Sequence, residues 1–159
     1  MIFKILKYPD HRLLQESAPI YDIDKIFINN TEVTVDELLD SMIETAKAAN
    51  GCGLAAPQIG LNVCVCVCLL DDKWIKMINP EVSSNLLTET KVEGCLSLPG
   101  KKCSVRRYKD ILVKYKETVN GNIITKFFSD QNARTIQHEV DHLKGVLIIK
   151  KTNEPTIFS

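Results

Sequence analysis

The run His138-Glu139-Val140-Asp141-His142 carries the strongest chemical signal in the chain. On a helix, residues four apart project from the same face, about one turn from each other. Two imidazoles placed that way can share one metal ion. Glu139 lies between them without being needed as a ligand, so it can act as general base on a metal-bound water. The chain has only three histidines, and two of them occupy this spacing, which argues against two unrelated structural residues.

A catalytic metal site needs a third protein ligand and an open position for water. The metzincin pattern would add a histidine at position 148. Gly145 fits that pattern, but the residue at 148 is Ile148. Beyond His142 the only acidic side chain is Glu154, so the third ligand is expected upstream. His11, the acidic residues and the cysteines are the candidates. Cys95 stands out in Glu93-Gly94-Cys95-Leu96-Ser97, because Gly94 leaves the backbone room beside it and a thiolate binds borderline divalent ions strongly. Cys52 and Cys103 compete for that role. Two imidazoles and a thiolate suit iron, zinc, nickel or cobalt.

These residues need a scaffold. The pattern predicts a helix over 130–144, with Ala133, Ile136, Val140 and Leu143 as its apolar stripe, Ser129 or Asp130 as cap and Gly145 as stop. An earlier helix is predicted over 35–49. Val35, Leu38, Leu39, Met42, Ile43 and Ala46 form its apolar face, Thr34 and Glu37 a capping box, and Asn50-Gly51 the end. Residues 51–60 read as a glycine-rich loop and 61–70 as a strand. A second strand runs from Trp74 to Ile78 and ends at Asn79-Pro80. Segments 111–116 and 123–128 flank Asn120-Gly121, a hairpin signal because both residues tolerate positive φ. Residues 1–30 read as irregular, with Pro9 and Pro19 as breakers. The expectation is an α+β fold, antiparallel strands around a central metal-binding helix, in a single domain spanning 1–159.

Composition narrows the partners. Of the 159 residues 45% are apolar and a quarter charged, which suits one core with a solvated surface. Twenty basic residues balance twenty acidic ones, so no global field favours DNA or an anionic membrane. The basic cluster Lys101-Lys102 and Arg106-Arg107 reads as ordinary solvated surface. Lysines interrupt the apolar N-terminal residues, and no apolar run is long enough to span a bilayer. A cytoplasmic protein with free thiols is expected. Cys64, Cys66 and Cys68 alternate with valines on one strand face, where cysteine serves as a small apolar residue rather than a ligand.

Three separated motifs resemble those of the peptide deformylase family: Gly51-Cys-Gly-Leu-Ala-Ala-Pro-Gln-Ile-Gly60, Glu93-Gly-Cys-Leu-Ser97 and Gln137-His-Glu-Val-Asp-His-Leu-Lys-Gly145. Tyr8-Pro-Asp10 and Ile78-Asn-Pro-Glu81 agree, and the resemblance extends to about residue 148. It implies removal of the N-formyl group from the formylmethionine of nascent polypeptides. It also implies Cys95, His138 and His142 as metal ligands, commonly of ferrous iron, with Glu139 activating the water. Gln58 and the Leu96 N–H would hold the oxyanion, and Glu93 would orient a metal-bound histidine. Gly51, Cys52, Gly53, Gly94 and Ile136 would line the substrate site. Cys52 stands where the family often has an aliphatic residue. The chain ends at Ser159 and carries Lys150-Lys151 in place of an Asp-Arg pair, so it resembles short members without the C-terminal helix used to approach the ribosome.

Overall fold

Asn29 and Asn30 take φ of 49° and 65°, the conformation of a two-residue turn whose twist matches that of its strands. They join β1 (Lys25–Ile28) to β2 (Thr31–Thr34) as an antiparallel pair. The expectation of an irregular segment through residue 30 is thereby corrected. Strands of four residues carry too little alternation to stand out by periodicity. The computed structural model describes residues 1–152 and the backbone of 155–157.

Thr34 ends β2 and opens α1 (Val35–Ala48). Its hydroxyl accepts from the Glu37 N–H (3.0 Å), and the Glu37 carboxylate accepts from the Thr34 N–H (2.8 Å), so the capping box forms. Asn50 at φ 56° turns the chain out of the helix. The glycine-rich stretch that follows is not simply a loop. It contains β3 (Gly53–Ala55) and a 3-10 turn, Ala56–Ile59, because Gly53–Ala55 finds hydrogen-bonding partners along the edge of β4 (Val65–Leu70).

Asp71 and Asp72, at φ 48° and 64°, then turn the chain into β5 (Lys73–Ser84). That strand does not stop at Pro80. Asn79 takes φ 51°, and the register with the next strand shifts between Ile78 and Glu81. An irregularity of this kind accommodates a residue that cannot donate to the ladder. β6 (Thr88–Gly94) and β7 (Lys101–Tyr108) form a further antiparallel pair. β8 (Asp110–Lys116) and β9 (Ile124–Ser129) make the expected hairpin. Its connection spans residues 117–123, and neither Asn120 nor Gly121 takes a positive φ.

Ser129 caps α2 (Asp130–Leu143) by position, with no bond from its hydroxyl. Gly145 ends it at φ 74°, where a Cβ would lie 2.5 Å from the Leu14 carbonyl oxygen. Only glycine suits both conditions. A backbone strand, β10 (Pro155–Ile157), completes the order.

The strands assemble into a five-stranded antiparallel sheet, β3-β4-β5-β8-β9, a three-stranded sheet, β10-β7-β6, and the β1-β2 pair. Alternation along β4 divides the core. Val65 and Val67 pack with Leu38, Leu39 and Met42 of α1. Cys66 and Cys68 pack with Ala133, Ile136, Val140 and Leu143 of α2. The two helices therefore cover opposite faces of one sheet. Cys64 precedes β4 and is half-buried against the same cluster as Cys66 and Cys68. All six cysteines are free, so the cysteine-rich strand is core. The result is the expected α+β fold. Among the described residues no helix is long and apolar enough to cross a membrane.

Candidate metal centre

The two faces of α2 have different tasks. One is apolar and packs on the sheet; the other carries His138 and His142, whose ring centroids are 5.1 Å apart. Cys95 arrives from the turn that follows β6, with its Sγ 3.3 Å from His142 Nε2. One ligand atom from each of the three lies within 4.8 Å of the other two, and this is the metal-type cluster found among the described residues. Cys52 and Cys103 take no part in it. His11 lies in a 3-10 turn, His11–Leu14, away from the group.

The surroundings fit a cation. His138 Nδ1 is 2.8 Å from the Glu93 carboxylate, which leaves the other ring nitrogen free to bind. Burial by itself would depress the His138 imidazole, but the bonds to Cys95 and Glu93 outweigh it and push the ring up to about 10. Burial, together with the charges of His138 and Arg107, holds His142 well below its usual range, in the neutral form a ligand needs. Its Nδ1 is buried and without a protein partner.

Glu139 is 4% exposed, and its Oε1 has no partner. Burial raises its carboxyl to about 7, against the lowering effect of His138 and Arg107. A carboxyl poised there can take a proton and return it at neutral pH. Gly53 of β3 makes room for it: a Cβ at that position would lie 2.8 Å from the Glu139 Cδ. The Gln58 carboxamide is 1% exposed and oriented by its oxygen, which accepts from the Ala55 N–H at 3.0 Å. Its nitrogen consequently faces Ser97 Oγ (3.2 Å) and the Cys95 sulfur (3.9 Å).

A cleft of about 480 Å³ opens over these groups, lined among others by Gly51, Cys52, Gly53, Gln58, Gly94, Cys95, Leu96, His138 and Glu139. Cys52 is exposed in it. Ile136 is elsewhere. It is fully buried between α2 and the five-stranded sheet and does not line the cleft. Two positions from His138 along a helix is nearly the opposite face, so Ile136 joins the apolar stripe.

Two buried arginines, to which the sequence assigns no task, brace Glu93 behind the ligands. Glu93 receives bonds from Arg107 (2.9 and 3.0 Å) and from Arg134 (2.6 Å). Arg107 also pairs with Asp141. Burial alone would raise the Glu93 carboxyl, but His138 and Arg107 bring it down to about 2. Arg107, read as solvated surface, is in fact buried. The alternation of β7 was the available clue, since Cys103, Val105 and Arg107 share its buried face. Ser97, fully buried against Gln58, is a third residue without an assigned task in the sequence.

The chain matches the family model for polypeptide deformylase over residues 2–157. A peptide deformylase of Dictyoglomus thermophilum is 38% identical over 159 residues, covering 99% of this chain and 97% of its own. The crystal structure of peptide deformylase from Thermotoga maritima superposes with a TM-score of 0.85 at 33% identity, covering 97% of this chain and 99% of that one. A class I type b peptide deformylase of Acinetobacter baumannii, solved with Met-Ala-Ser bound, gives a TM-score of 0.84 at 28% identity, with 95% and 98% covered.

Proposed function

The chain belongs to the polypeptide deformylase family, and from that premise we propose that it hydrolyses the N-formyl group of formylmethionine on nascent polypeptides, releasing formate. The observation that carries this reading is the convergence of Cys95, His138 and His142 close to Glu139, whose Oε1 has no protein partner, beneath a cleft that Gln58 also lines.

Cys95, His138 and His142 would hold one divalent ion, with ferrous iron the family expectation. Such an ion supplies Lewis acidity, making a water more acidic and polarising the formyl oxygen. Glu139 takes a proton from the attacking water and passes it to the amine as the carbon–nitrogen bond breaks. The Gln58 carboxamide N–H and the Leu96 backbone N–H hold the oxygen on which charge develops. Glu93 keeps the His138 ring turned toward its fellow ligands. Gly51, Cys52, Gly53 and Gly94 form the wall along which the peptide lies, and Gly53 leaves space for both substrate backbone and Glu139.

The test compares formyl-Met, acetyl-Met and internal-peptide substrates on metal-loaded protein. Formyl-Met peptides should turn over, and acetyl-Met peptides should react poorly, because the extra methyl must fit where the formyl group has only hydrogen. Equal rates on formyl and acetyl substrates, or cleavage of internal bonds alone, would remove the reading.

A further inference from the structure

A second cleft, of about 390 Å³, opens on another face of α2. Gln137, Val140, Asp141 and Lys144 line it at i, i+3, i+4 and i+7, the spacing of one helix face. Arg106, Arg107 and Tyr108 of β7, together with Val82, Thr88 and Lys151, complete the wall. It shares no lining residue with the cleft over the candidate metal centre.

Its charge is uneven. Arg107 is buried at the floor, bonded to Glu93 and Asp141. Lys151 stands 3.7 Å from Asp141. Among the described residues Asp141 is the only carboxylate in the lining, and neither Arg106 nor Lys144 has a carboxylate partner. Four cations, Arg106, Arg107, Lys144 and Lys151, thus line the cleft with the single carboxylate of Asp141. The carbonyls at the C-terminal end of α2 do not offset this excess, since the Lys144, Gly145 and Val146 N–H groups bond to Asp141 and His142 oxygens at 2.9–3.1 Å. A concave wall with surplus positive charge concentrates its field on what enters it. The floor is held in place, because Gln137 bonds both the N–H (3.0 Å) and the carbonyl (2.8 Å) of Tyr108.

We propose that this second cleft binds a phosphate group, held by Arg106, Lys144 and Lys151 above the Arg107–Asp141 pair. A dianion with several acceptor oxygens suits a lining in which cations outnumber carboxylates and in which donors come from α2, β7 and the segment after α2. The phosphate can come from a small phosphorylated anion or from an RNA backbone. The proposal stands independently of the chemistry at the metal centre.

The experiment is calorimetric titration of the full, metal-loaded chain at constant ionic strength, with inorganic phosphate and a mixed-sequence single-stranded RNA as separate titrants. The same titrations are run on an Arg106→Ala/Lys144→Ala double variant. Both side chains are exposed, so the variant should melt like the parent and keep its formyl-peptide turnover. Saturable phosphate binding, weakened about tenfold or more in the variant, is expected. RNA binding tighter than phosphate and weakened alike would also support the site, with a nucleic-acid backbone as the source. Absence of saturable binding by both titrants, or binding that the double variant leaves unchanged, overturns the proposal.

Discussion

Burial raises the Glu139 carboxyl to about 7 against the pull of His138 and Arg107, and its Oε1 has no protein partner. Its value as a proton carrier lies there. Glu139→Gln should bind metal normally, since glutamine has nearly the same shape and the two histidines belong to the same helix. Turnover should fall by about 10²–10⁴-fold or more, the range general acid–base groups contribute. Metal content and turnover measured on one preparation decide this; a loaded variant with near-normal turnover excludes Glu139 as the base. Among the cysteines the contrast is equally sharp. Cys95→Ala should lose metal and activity together, because Cys95 faces His142 at 3.3 Å. Cys66→Ala should keep both, with only a modest loss of stability, because Cys66 packs in the apolar layer under α2. Full metal occupancy in Cys95→Ala would end the ligand assignment.

At the scale of elements, β3 is the least obvious part and the most consequential. It is three residues long, at the edge of the five-stranded sheet, and it brings Gly53 against Glu139 while leading into the 3-10 turn that carries Gln58. A side chain at 53 must move the Glu139 carboxyl or the strand. Gly53→Ala should therefore lower turnover by about tenfold or more, as misplacement by a fraction of an ångström does in a catalytic group. Metal binding should persist, because no ligand sits on β3. Unchanged kinetics in a metal-loaded Gly53→Ala protein would show that the carboxyl can yield without consequence.

For the whole molecule, the candidate centre ties separate parts of the fold together. Cys95 follows β6 of the three-stranded sheet, the histidines lie on α2, and Gln58 follows β3 of the five-stranded sheet. An ion bound across these parts stabilises the folded chain over an unfolded chain that binds it less well. Chelation should therefore lower the thermal midpoint, and readdition of metal should restore it. At a free metal concentration a hundred times the dissociation constant the difference is about 2.7 kcal/mol. A His142→Ala variant should show a midpoint that no longer responds to chelator. A parent protein equally insensitive would mean that the three donors do not share an ion.

The sequence alone was enough for whatever depends on local pattern. The helix of His138 and His142, its apolar stripe and the capping box of α1 follow from periodicity and end signals that neighbouring residues carry, and β8 and β9 pair as expected although Asn120-Gly121 does not make the positive-φ turn that signalled them. Cys95, Gln58 and the family were legible because three motifs occur in order along the chain. Other features depended on contacts between residues far apart in sequence. β3 exists because β4 offers it an edge, and β5 passes Pro80 because a bulge absorbs the missing donor. Ile136 faces the sheet rather than the cleft because α2 can turn only one stripe toward each. Arg107 is the sharpest case. Beside Arg106 it reads as surface, yet the pleat of β7 turns it inward, where Glu93 and Asp141 await it. Whether a charge is solvated or buried depends on what the folded chain places opposite it, and local sequence does not specify that partner.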